Sequence, residues 1–233
     1  MNRPATIPRF AVSQVSGETQ SVDNLQIAAV IYAFDVPLME QRPYDTQAGD
    51  GIKGVRVIWN FDQKDAGGNS PKTIAKKYFD ADWHKMNPSH PLAVCKRAFD
   101  CHATLKGYLR AGSGLDRHAG AACRITNTRK AAVLMALGHK LLGWQRNDYV
   151  TTWCFHEAAA SDAALYDDPQ LYDKLPDEPI AYARGAILGH EAMVAASKNI
   201  QTARVTHKGR VALIGRDIEK KHQDTIEKLL FRK

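Results

Sequence analysis

Asn24-Leu-Gln-Ile-Ala-Ala-Val-Ile-Tyr-Ala-Phe is echoed 103 positions later by Asn127-Thr-Arg-Lys-Ala-Ala-Val-Leu-Met-Ala-Leu. A block carried twice limits the fold more than any other feature of this chain, because both versions must find apolar partners. Asn24, Ala28, Ala29, Val30, Ala33 and Leu38 are matched by Asn127, Ala131, Ala132, Val133, Ala136 and Leu141. Trp59 and Phe61 then match Trp153 and Phe155 at a spacing of 94, so the first version carries about nine extra residues around Pro43 to Gly54. The match resumes at a spacing of 88. Tyr78, Asp80, Pro88, Pro91, Ala93, Ala98 and His102 pair with Tyr166, Asp168, Pro176, Pro179, Ala181, Ala186 and His190. Three blocks kept in order, with the gaps at turns, point to duplication rather than to two similar alanine-rich helices.

Each version reads as a helix, a hairpin and a second helix. Asn24 and Asn127 suit helix caps, because their side-chain oxygens accept from free backbone N–H groups. Pro37 and Gly138 are the expected helix stops. Leu38–Arg42 returns on Val55–Phe61, and Lys140–Arg146 returns on Tyr149–Phe155. Val57, Trp59 and Phe61 share one face by strand alternation, as do Thr151, Trp153 and Phe155. Core packing is the first reading of those aromatics, and a stacking platform for bases is the second. Ser70-Pro71 opens a further helix. Longer helices are expected from about Pro91 to Arg110 and from Pro179 to Ser197. Thr202–Thr206 and Arg210–Ile214 read as a last hairpin, followed by a helix from Asp217 to Phe231.

The expected fold is therefore α+β: a tandem duplication of a helix–β-hairpin–helix unit with pseudo-two-fold symmetry, plus a C-terminal hairpin and helix. The two hairpins would share or face one sheet. The organisation is a flexible arm at 1–21, one unit at 22–112, a Gly/Ser/Ala-rich linker at 113–123, a second unit at 124–198, and a C-terminal hairpin and basic helix at 199–233.

Within each unit, the order Ala-Ala…Ala-Leu-Gly…Leu, a hairpin returning on hydrophobe-x-Phe, Tyr/Phe-Asp and a terminal helix resembles a family of small uncharacterised α/β domains. That family is found in phages, plasmids and other mobile elements. The first version departs from it in the long Pro43–Gly54 loop. The resemblance implies a setting in mobile DNA and assigns no catalytic residue.

Chemistry is sparse. Cys95, Cys101, His102, Cys123, Cys154 and His156 lack the close ligand pairs of structural zinc sites, so no metal or other cofactor is expected. The pairs His102/His190 and Asp80/Asp168 occupy matching positions and are the only acid–base candidates. No phosphate loop, nucleophile elbow or His-Glu-x-x-His is present, and no catalytic residue is assigned. Four cysteines in 233 residues suit a reducing compartment. No apolar run spans a membrane and no apolar signal core opens the chain, so the expectation is cytoplasmic, with no membrane partner.

Charge carries the functional reading. The net charge is +7. Residues 84–148 hold eleven Lys/Arg against three Asp, residues 156–191 two against eight acids, and residues 200–233 nine against four. The leading expectation is a non-enzymatic protein that binds nucleic acid or a nucleoprotein complex through Arg124, Arg129, Lys130, Lys140, Arg146, Arg204, Lys208, Arg210, Arg216, Lys220 and Lys221. The bland alternative is a solvated basic surface, or bases that pair with the acidic 156–191 stretch. A second functional class is an interaction or inhibitor module docking on a basic protein through 156–191. A third is an enzyme using the paired His and Asp positions.

Overall fold

The computed structural model describes residues 19–47, 52–63, 70–111, 123–147, 149–171 and 178–206, with the side chains of 43–47, 52–56 and 200–206 left aside. In chain order the first segment contains β1 (Thr19–Val22), α1 (Leu25–Ala33), β2 (Leu38–Gln47), β3 (Ile52–Asp62), α2 (Pro71–Phe79), α3 (Ala81–Met86) and α4 (Pro91–Ala111). The second contains β4 (Cys123–Ile125), α5 (Thr128–Ala136), β5 (Leu141–Asn147), β6 (Val150–Phe155), one 3-10 turn (Glu157–Ala159), α6 (Ala160–Asp167) and α7 (Pro179–Thr206). The class is α+β, with seven α-helices and two antiparallel sheets among the described residues.

The hairpins do not share a sheet. They form two three-stranded sheets, ordered β1-β3-β2 and β4-β6-β5. The outer strands β1 and β4 fall where an arm and a linker are expected from the sequence. Thr19, Gln20 and Ser21 are strand residues, and Cys123 opens β4. Strands this short offer too few alternating positions to stand out from a turn.

Corresponding residues take corresponding places in the two sheets. Val22 pairs with Trp59, and Ile125 with Trp153; Leu38 pairs with Phe61, and Leu141 with Phe155. Each sheet has one bulge at its root, between Leu38 and Glu40 and between Leu141 and Gly143. Trp59, Phe61, Trp153 and Phe155 are fully buried. That settles them as core and removes the stacking-platform reading.

The helix ends follow local chemistry. Asn24 Oδ1 accepts from the N–H groups of Gln26 and Ile27 at 3.0 and 3.1 Å, and Asn127 Oδ1 from those of Arg129 and Lys130 at 2.9 and 3.2 Å. After α5, Gly138 takes φ 102°, so its N–H reaches Met135 O and the N–H of His139 reaches Leu134 O. This is a Schellman stop. After α1 the left-handed residue is Asp35 (φ 58°), which donates to Tyr32 O two residues before Pro37. Pro37 is thus not itself the stop.

The chain divides into two compact units. Among the described residues, one takes those within 77–187, and the other those within 19–76 and 188–206. In the first-named unit α4 packs along α5, and Arg97 Nε donates to Ala136 O at 3.0 Å. In the other, α1 buries every residue from Ile27 to Tyr32, as a helix with apolar residues all round must. There Gly189 of α7 lies against α1: a Cβ on it would stand 3.6 Å from Tyr32 Cδ1 and 3.9 Å from the Ala29 Cβ. The sheet built from β4–β6 is therefore grouped with the long helix that precedes it in sequence. The sheet built from β1–β3 is grouped with the last half of α7. Helix α7 runs through Thr206, so Thr202–Thr206 are helical rather than a strand. The remaining C-terminal elements expected from sequence lie outside the described residues.

Candidate nucleic-acid interface

The basic residues expected to meet nucleic acid fall into three groups. Arg124, Arg129, Lys130, Lys140 and Arg146 are all in the second segment. Arg204 lies on α7 with its side chain undescribed, while Lys208, Arg210, Arg216, Lys220 and Lys221 lie outside the described residues.

Strand β4 alternates inward Cys123 and Ile125 with outward Arg124, so pleating places that guanidinium on the surface. Lys140 precedes β5, and Arg146 sits near its end; both are exposed. Arg146 also donates to Leu109 O, at the end of α4, at 3.5 Å. Among the described residues no carboxylate is within ion-pair distance of Arg124, Lys140 or Arg146. Lys130 differs. Its ammonium meets Asp167 at 2.6 Å, with its side chain mostly covered. The acidic stretch thus takes Lys130 out of the free basic set. The N–H groups of Arg129 and Lys130, which could hold a phosphate at the start of α5, are already occupied by Asn127.

The paired acid–base candidates hold local structure. Asp80 Oδ1 accepts from Asp82 N and Trp83 N at 3.1 and 2.9 Å, capping α3. Asp168 Oδ1 accepts from Gln170 N at 2.8 Å. His102 is buried on α4, and His190 is half-buried on α7. Tyr78 and Tyr166 are buried, and each has a cation over its ring: Lys96 at 5.5 Å and Arg184 at 5.3 Å. Of the acidic stretch, Asp162 bonds His139 at 2.7 Å and Asp167 bonds Lys130.

Two clusters escape sequence reasoning. In the first sheet Ser21 Oγ donates to Asn60 Oδ1 at 2.7 Å, and Asn60 Nδ2 to Glu40 Oε2 at 3.3 Å. Arg42 Nε then donates to Glu40 Oε1. Only the strand register, including the bulge, brings these four together. The second cluster surrounds Trp83, with His84 and His90 rings at 5.2 and 4.9 Å and Lys77 at 5.5 Å from its centroid. His90 Nδ1 accepts from Leu92 N at 3.1 Å, where α4 begins. Burial, then Lys77 and His84, push the His90 pKa below its ordinary value.

Among the described residues no group of His, Cys, Asp and Glu is placed to hold a metal ion. All four cysteines are free thiols. No described helix is long and apolar enough to cross a membrane. No protein-family model, curated protein or solved structure matches this chain.

Proposed function

We propose that this chain is a non-enzymatic protein of a mobile element, binding nucleic acid or a nucleoprotein complex through the basic surface of its second sheet. One observation carries the reading: Arg124, Lys140 and Arg146 are exposed on or beside one small sheet, with no described carboxylate to neutralise them. Unpaired surface cations concentrate phosphates through long-range attraction and release counterions on contact. The mobile-element setting rests on the sequence resemblance.

We also propose that the scaffold arose by duplication, with approximate two-fold symmetry between versions that exchange their long helices. Support comes from the shared strand order, the bulges and caps at matching positions, and cations over Tyr78 and Tyr166 from residues 88 apart. A size compensation agrees. The first version has bulky Tyr32 facing Gly189, and the corresponding positions in the second hold Met135 and Cys101.

The inhibitor reading loses support because Asp162, Asp167 and Asp168 already bond within the protein. The enzyme reading loses support because Asp80 and Asp168 cap backbone.

Fluorescence anisotropy with labelled oligonucleotides tests the binding reading. Three phosphate contacts predict an affinity loss of about 40-fold between 50 and 200 mM salt. The triple variant Arg124→Glu, Lys140→Glu, Arg146→Glu should weaken binding by about tenfold or more. No binding to any DNA or RNA at the lower salt rejects the reading, as does full affinity in the triple variant.

A further inference from the structure

The β5–β6 hairpin changes character along its length. At its root Trp144 and Trp153 are fully buried, with ring centroids 5.8 Å apart, and Trp153 Nε1 donates to Thr128 Oγ1 at 3.3 Å. Beyond them Gln145, Arg146 and Asn147 are all exposed, although alternate strand residues point to opposite faces. On the return strand Val150 is 53% exposed, and Tyr149 before it is 98% exposed. A ribbon exposed on both faces has left the core. The indole pair fixes its root, so its direction is set before any partner arrives.

We propose that the exposed part of this ribbon, Gln145 to Asn147 with Tyr149 and Val150, enters the major groove of duplex DNA and contacts base edges there. The idea rests on the nucleic-acid reading above and names the element that would read the bases. Shape, charge and chemistry all bear on it. A two-stranded ribbon fits the major groove of B-form DNA, whereas that of A-form RNA is too deep and narrow for side chains to read. Arg124 and Lys140, near the root, and Arg146, within the ribbon, suit the flanking phosphates. Gln145 Nε2 donates to Asn147 Oδ1 at 3.1 Å, which leaves Gln145 Oε1 as an acceptor and Asn147 Nδ2 as a donor. Adenine presents the complement at its major-groove edge: the N6 amino group and the N7 acceptor. Tyr149, at the tip, supplies an apolar face for a thymine methyl or a base.

The test uses the full chain with three probes: random-sequence duplex DNA, duplex RNA of equal length, and single-stranded DNA. Duplex DNA should bind most tightly. A random duplex pool selected on the protein should enrich sites containing A·T pairs. The variants Gln145→Ala/Asn147→Ala and Tyr149→Ala, all at exposed positions, should keep the wild-type melting curve. They should keep most of the salt-dependent affinity and lose the enrichment. Duplex RNA bound as well as duplex DNA, or an enrichment unchanged in the variants, overturns the proposal while leaving the broader reading in place. Absence of binding to all three probes overturns the broader reading itself.

Discussion

The two sheets share their aromatic core and differ in the residues around it. Both bury a tryptophan and a phenylalanine at matching positions of the central strand, and both follow an asparagine cap. The next row across each sheet has nothing in common with its counterpart. In the first, Ser21 and Glu40 flank the buried Asn60 and are joined to it by hydrogen bonds; in the second, Arg124 and Gly143 flank the buried Cys154. Val36 and Ile74 stand buried where the second segment has the His139–Asp162 pair, and Ile27 stands where Lys130 meets Asp167. Interior shape is held by close packing, which tolerates little change in volume. The second version carries the exposed Arg124, Lys140 and Arg146 on which the proposed binding surface rests.

The comparison can be broken most decisively at its centre. Trp59→Ala and Trp153→Ala should each cost about 3–5 kcal/mol in urea unfolding. A small loss at either position means that the two sheets are not built alike. A finer test exploits the helix stops. Asp35 holds a left-handed conformation that glycine adopts without strain at the matching Gly138. Asp35→Gly should raise stability by up to about 1 kcal/mol, and Gly138→Asp should lower it by a similar amount. Equal signs in the two unfolding experiments would refute the matched geometry.

The smallest effect is a pH dependence confined to one helix start. Backbone carbonyls of His90 and Glu178 open α4 and α7 in the same way, but only His90 also accepts through its side chain. Its folded pKa lies below the ordinary imidazole value because of burial, Lys77 and His84. As pH falls, the unfolded chain therefore takes up this proton before the folded one does. The contribution is fully present above about pH 6.5 and declines as pH falls through the lowered folded value. The stability of wild type relative to His90→Asn, followed from pH 8 to 5, should show that decline. A flat difference would remove His90 from the account.

Much of the interior was legible in the sequence. Asn24 and Asn127 announced the caps, Pro71, Pro91 and Pro179 the helix starts, and Trp-x-Phe the central strands. Those signals are local, set by one side chain and its neighbouring backbone. The partition into two sheets was not legible, nor was the grouping of α4 with α5, because both depend on the path of the chain. Short edge strands such as Cys123–Ile125 carry too little pattern. Arg124, Lys140 and Arg146 could be named from composition. Yet the removal of Lys130 by Asp167, 37 residues away, required coordinates. The Ser21–Asn60–Glu40 row was hidden for the same reason, since a bulge shifts the register that joins it.

The grouping of the last half of α7 with the first sheet has a consequence during synthesis. A ribosome makes α1 and β1–β3 early, but the helix that lies against Ala29 and Tyr32 emerges only after Leu188. The later sheet meets the opposite situation, since α4 is already translated when β4–β6 appear. The half made second can thus close first, while the half made first waits, this face of its apolar helix uncovered, until α7 has been made.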